Sequence, residues 1–246
     1  MNLSFTGGGF LGIYHVGVAI GLKKYASHLV DKASGASAGA IAACCLLCGM
    51  SLEETVNGVL HIAEAARKYT VLGPFSPYFN VQRVLLEVLE KILPGDVHIR
   101  VNGKLHISLT RMYDMKNVII SQFDSREDLL QALLATSFVP LFSGLLPPRF
   151  HGMRYMDGGF SDNLPMFDEN TITVCPFSGE SDICPRDPLH HLYNVNVCNM
   201  NVELSKQNLY RIAQAFFPSK TEILLSVCKQ GYDDALQFLR RRNLLE

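Results

Sequence analysis

Polar and apolar residues alternate through NLSF, which predicts a short first strand over Asn2–Phe5. Beyond Gly7-Gly8-Gly9 the apolar spacing becomes helical, from Leu11 to about Ser27. LVDKAS predicts a second strand, and Ala38 to Met50 a buried helix, apolar nearly all round. Ser51 with Glu54 three residues later is a capping signature and opens a helix to about Tyr69. The loop GPFSPYF ends it, and NVQRVLLEVLEKILP is an amphipathic helix closed by Pro94. KLHISLTRMYD and NVIISQF predict a hairpin around Asp114-Met115-Lys116. Ser125, with Asp128 three residues on, caps the helix of SREDLLQALLATS. Short strands are predicted at TITVCPF and YNVNVCN, then two helices separated by Pro218. Strands alternating with helices predict an α/β fold on a mixed, mostly parallel sheet.

Composition narrows this picture. Of 246 residues, 48% are hydrophobic and 18% charged, enough apolar matter for one sizeable core. No segment reads as a linker, so 1–246 is expected to be one domain with a helical tail from about 205. A net charge of -1 gives no general attraction to nucleic acid. MNLSFTGGGF lacks the charged and apolar regions of a signal peptide. The longest apolar run, Ala36 to Met50, falls short of the roughly 18 to 20 residues of a membrane span. Contact with a membrane is therefore expected from outside it. Seven cysteines show no disulfide spacing, and Cys44, Cys45 and Cys48 lie in the apolar run IAACCLLCGM. They are expected to be buried free thiols of a protein in a reducing compartment, with no metal held.

Candidate chemistry sits in three short motifs. GASAG, Gly35 to Gly39, fits G-x-S-x-G, with Ser37 its single polar side chain. It suits either a tight strand-to-helix turn or a nucleophile elbow, which presents a serine for attack on a carbonyl. GGGFLG, Gly7 to Gly12, also fits G-x-G-x-x-G. A dinucleotide fingerprint needs an acid at the end of the next strand, whereas Asp31 opens that strand. The other reading is an anion-binding nest of backbone amides. If the first two strands are neighbours, the Gly8, Gly9 and Phe10 amides open beside Ser37, where glycine lets backbone approach a substrate oxyanion.

A serine nucleophile needs a base. His15, His28, His61, His98, His106, His151, His190 and His191 have no context that singles one out. In YMDGGFSDN, Asp157 ends an apolar stretch at a turn before Gly158-Gly159, which is also what an ordinary Asp-Gly turn looks like. Apolar neighbours in LFSGLLPP and RYMDGGF would raise its pKa and make it a better base.

GGGFLG, GASAG and DGG occur in that order, with Ser37 and Asp157 120 positions apart. In this combination the chain resembles the patatin-like phospholipases, acyl hydrolases with a Ser–Asp dyad and a glycine-rich oxyanion hole. FLGIYHVG, SREDLLQALLATSFVPLFSGLLPP, RYMDGGFSDNLP and CPFSGESDICP extend the likeness over nearly the whole chain. They point to the animal branch containing adipose triglyceride lipase and adiponutrin. The resemblance implies a three-layer α/β/α fold with a nucleophile elbow. It implies Ser37 as nucleophile, Asp157 as base, and Gly7, Gly8, Gly9, Phe10 and Gly12 as the oxyanion loop, with no cofactor and no metal. Gly8 stands where that branch commonly has a small thiol residue, and Phe10 where plant patatins carry an arginine.

The implied substrate is a lipid ester (triacylglycerol, phospholipid or retinyl ester) met by a cytoplasmic protein at a membrane or lipid-droplet surface. Some relatives need an α/β-hydrolase-like coactivator, so such a partner is an expectation. The chain looks like a bare catalytic domain without the hydrophobic extension of larger relatives. Ser137 to Pro148 and Pro74 to Phe79 are apolar candidates for the rim of a lipid site. Arg240-Arg241-Arg242 is read as a solvated helix end. Two other roles remain open: an acyltransferase, or a weakly catalytic protein that binds lipid or sequesters a partner.

Overall fold

Leu3 and Phe5, the inward positions of NLSF, are wholly buried and lie on β1 (Asn2–Phe5) in the computed structural model, which describes residues 1–69, 79–187 and 193–245. β1 runs parallel to β2 (Lys32–Gly35) on one side and to β7 (Ile172–Val174) on the other. β2 is parallel to β3 (Leu105–Arg111), which pairs antiparallel with both β4 (Asn117–Ile120) and β6 (Met153–Asp157). β5 (Arg149–Phe150) closes the edge on β6, giving the order β5-β6-β3-β2-β1-β7. Flanking helices complete a three-layer α/β/α arrangement around this mixed, mostly parallel sheet.

Two crossovers carry the site. α1 (Gly12–Tyr25) joins β1 to β2, and α2 (Ala38–Leu47) leaves the end of β2. Both are too apolar to have a wet face, and most of their residues are buried. α3 (Leu52–Arg67) and α4 (Val81–Ile92) are amphipathic and pack together, their starts fixed by Ser51 and Asn80, whose side chains accept the Glu54 and Arg83 amides. A short α5 (Val97–Val101) precedes β3, and Ser125 caps α6 (Arg126–Thr136) through the Asp128 amide. The expected hairpin turns at Met115, whose φ is 58°, and Arg111 pairs with Asp114 across it.

The chain then forms a separate hairpin, β8 (Asn194–Val197) and β9 (Met200–Glu203), followed by α7 (Lys206–Phe216) and α8 (Thr221–Arg241). α8 lies along α1, burying Leu224, Ala235, Phe238 and Leu239, and Asp234 accepts the Tyr14 hydroxyl at 2.8 Å. α8 therefore contributes directly to the core around β1 and β7. Cys44, Cys45 and Cys48 are buried free thiols. No helix among the described residues is long and apolar enough to cross a membrane.

Candidate active site

Strand register alone brings the three motifs together. Phe5 is level with Gly35, so Gly7, two residues on, comes level with Ser37. Gly35 is level with Ile107, so Ser37 also comes level with Leu109, which faces Asp157 on the far side of β3. A loop, an elbow and a carboxylate that are distant in sequence meet at one sheet edge.

At the elbow only Ala36 and Ser37 separate β2 from α2. Ser37 has φ 52° and ψ -129°, a conformation that costs a residue with a Cβ about 1–3 kcal/mol. The surroundings hold it there. Its amide donates to the Thr136 hydroxyl at 2.9 Å, and that hydroxyl donates to the Ser108 carbonyl at 2.7 Å. Gly39 lets the turn close, because a Cβ there would stand 2.3 Å from the Phe5 carbonyl oxygen. Ser37 thus sits at the positive N-terminal end of α2, where developing negative charge is favoured.

Asp157 ends β6. Its amide donates to the Phe138 carbonyl and its carboxylate accepts the Gly159 amide at 2.8 Å. Burial pushes its pKa up to about 6, against the opposing pull of the Gly159 amide and the Ser37 hydroxyl beside it. Ser37 and Asp157 are both buried, and both line a cavity of about 560 Å³. The walls of this cavity are apolar, with Leu85, Val88, Ile92 and Phe142 among them. Its size and lining suit a small-molecule ligand with long apolar parts.

The five glycine-loop residues all border that cavity, but they divide in role. The Gly7 amide donates to Asn163 Oδ1 at 2.9 Å, and the Gly12 amide to the Gly9 carbonyl. Among the described residues, the Gly8, Gly9 and Phe10 amides have no acceptor. The expected reason for glycine, room for substrate, needs correction at Gly9. Its φ is +53°, and a Cβ there would stand 2.1 Å from the Ala215 carbonyl oxygen, so the space belongs to α7.

Asn163 and Thr136 are polar groups of the site that lie outside the three motifs. Asn163 lies in the same DGGFSDN stretch as Asp157 and ties it to the glycine loop, with its Nδ2 against the Met200 sulfur at 3.6 Å. Thr136 is the last residue of α6, a largely buried helix, and nothing in its local sequence marks it.

None of the described histidines lines the cavity. His15 Nε2 lies 2.8 Å from the Thr6 carbonyl oxygen, and burial pushes its pKa down to about 4, so the ring is neutral. His106 packs edge-on to Phe167, and His151 bonds Asp128 at the surface. His190, His191 and the candidate rim residues Pro74 to Pro77 and Tyr78 lie outside the described residues. Asp31, the acid that a dinucleotide site would require, sits at the start of β2 with the Met1 amine 2.6 Å away. That is the end of the strand away from the glycine loop.

A family model described as patatin-like phospholipase matches residues 3–168. Patatin-like phospholipase domain-containing protein 2 of Mus musculus is 48% identical over 248 residues, covering 99% of this chain and 51% of that protein. The human protein named 1-acylglycerol-3-phosphate O-acyltransferase PNPLA3 is 42% identical over 247 residues, covering 99% of this chain and 51% of its own. Human omega-hydroxyceramide transacylase is 39% identical over 246 residues, covering 98% and 46%. The chain spans about half the length of these relatives. Among solved structures, VipD from Legionella pneumophila shares the fold, with a TM-score of 0.50 at 15% identity over 98% of this chain and 66% of that one.

Proposed function

Because the chain belongs to the patatin-like phospholipase family, we propose that it is a glycerolipid acyl hydrolase in which Ser37 is acylated with Asp157 as its base. The observation that carries this reading is the buried Ser37–Asp157 pair in the wall of an apolar cavity. Asp157 takes the Ser37 proton as Oγ attacks the ester carbonyl. The Gly8, Gly9 and Phe10 amides and the start of α2 face the oxyanion, each donor contributing about 3 kcal/mol to the transition state. Collapse of the tetrahedral intermediate breaks the ester C–O bond, and Asp157 returns the proton to the leaving alcohol. In the second half Asp157 deprotonates water, which attacks the acyl carbonyl. The intermediate collapses to fatty acid, and the leaving Ser37 Oγ takes the proton back from Asp157.

Acyl transfer is a second reading of the same site, favoured by one feature. The acyl-enzyme would form in a cavity with few polar groups, where a bound alcohol competes well with water. The names of two relatives, an acyltransferase and a transacylase, agree with that chemistry. Triacylglycerol or phospholipid at a droplet or membrane surface is the proposed substrate in either case, with a coactivator an additional proposed partner.

The test is release of fatty acid from triacylglycerol and phospholipid emulsions, followed against pH. Asp157 must be ionised to act as base, and its pKa stands at about 6. Turnover is therefore expected to fall about tenfold per pH unit below 6 and to level off above 7. A protein that binds these emulsions without releasing fatty acid would be a lipid-binding protein instead. A profile flat from pH 5 to 8 would remove Asp157 as the base.

A further inference from the structure

α7 is an amphipathic helix set into the protein with its polar side inward. Asn208 is buried, accepting the Ser178 amide at 2.9 Å and donating to the Ser178 and Glu203 carbonyls at 2.8 Å each. Arg211 grips Asp187 through two bonds of 2.7 and 2.8 Å, and Gln214 donates to Ser219 at 2.8 Å. The apolar residues at helical spacing, Leu209, Ile212 and Phe216, are 61%, 44% and 39% exposed. Ordinary surface helices turn the other way. Here polar contacts fix the helix, and its apolar stripe faces out.

That stripe continues into the cavity, because Leu209, Ile212 and Phe216 also line it. Across the mouth, the Phe216 ring meets the Phe142 ring at 6.0 Å. Phe142 belongs to a turn whose Leu141, Leu145 and Leu146 are 74%, 81% and 66% exposed. The α7 side presents Leu209, Ile212 and Phe216 and the turn presents Leu141, Phe142, Leu145 and Leu146 about one aromatic contact, and none of these seven residues carries charge. An exposed apolar surface of this kind marks an interaction site. A protein seated on it would stopper the mouth of the cavity, whereas a lipid layer would supply the mouth with ester.

We propose that the outer face of α7 and the Leu141–Leu146 turn form an interfacial docking surface that seats on the phosphatidylcholine-coated surface of neutral lipid. α7 lies in the plane of the interface with its apolar side among the acyl chains. Attachment comes from apolar area and so is little affected by salt. The choice of a lipid layer over a protein as occupant rests on the hydrolase reading; the exposed apolar face does not.

The chain contains no tryptophan, so Leu209→Trp places a unique fluorophore on the stripe. With phosphatidylcholine-coated triolein droplets its emission should shift to the blue and be quenched by brominated phosphatidylcholine. Leu145→Asp with Leu146→Asp, at positions outside the cavity wall, should lower the droplet partition coefficient roughly tenfold or more. The same double variant should hydrolyse a monomeric short-chain ester at the wild-type rate. Failure of the wild-type chain to float with the droplets would overturn the proposal. So would flotation with the Leu209→Trp emission unshifted, or unchanged flotation of the folded double variant. A blue shift that depends on protein concentration without lipid would assign the face to a second copy of the chain instead. Droplet binding by a wild-type chain that turns over no short-chain ester would count against the hydrolase reading alone.

Discussion

Asp157→Asn is expected to lower ester turnover by on the order of 10⁴-fold, close to the effect of removing the serine hydroxyl itself. Asparagine keeps the size of the side chain and an oxygen for the Gly159 amide, but it cannot accept a proton. In a triad the carboxylate would only orient an imidazole, and one histidine would be as indispensable as Ser37. The described histidines stand away from the cavity, and His15 is held by the Thr6 carbonyl. Each of the eight single His→Gln variants is therefore expected to keep substantial activity. One folded histidine variant as inactive as Ser37→Ala would make that imidazole the base.

The same substitution should stabilise the protein at neutral pH. The folded pKa of Asp157, about 6, lies above the ordinary carboxylate value of about 3.9. A raised pKa means that the native state holds its proton longer than the unfolded chain does. Its favourable contribution is complete below about pH 4 and is lost as pH rises through 6. The difference of about two units corresponds to roughly 3 kcal/mol, so Asp157→Asn should gain about that much on wild type between pH 4 and pH 8. Denaturant midpoints at the two pH values measure it. Equal gains at both would mean that the carboxylate is not held against its ionisation.

Substitution of Ser37 should separate chemistry from strain. Ser37→Ala and Ser37→Gly both remove the nucleophile, and both are expected to be inactive toward any ester. Their stabilities should differ. Alanine keeps a Cβ at φ 52°, ψ -129°, whereas glycine occupies this region without steric cost. Relief of about 1–3 kcal/mol of strain exceeds the 0.5–1 kcal/mol of extra backbone entropy that glycine loses on folding. Ser37→Gly should be about 1 kcal/mol more stable than Ser37→Ala in chemical denaturation. Equal stability would mean that the elbow stores no strain.

Much of this arrangement was legible in the chain because its chemistry lies in contiguous runs of small residues. GGGFLG, GASAG and DGG each mark a place where backbone must turn sharply or pass close to backbone. The neighbouring β1 and β2 then follow from the α/β pattern, and with them the meeting of Gly7 and Ser37. β5, β6 and β9 were not legible. They are two to five residues long and owe their conformation to pairing, with β6 ordered by β3 more than 40 residues earlier. Asn163 was in view beside Asp157, yet its role depends on an amide 156 residues away. α7 shows the limit of periodicity most clearly. The amphipathic pattern predicts the helix, but not that Asn208 and Arg211 would find buried partners and turn the apolar side outward.

A serine-directed fluorophosphonate, applied to the folded chain and followed by intact mass and peptide mapping, tests the assignment of Ser37 most directly. The dyad predicts one adduct per chain, on Ser37, formed quickly by the wild-type protein above pH 7 and at least about a hundredfold more slowly by Asp157→Asn. An adduct on any other residue, or wild-type labelling no faster than that of Asp157→Asn, would contradict it.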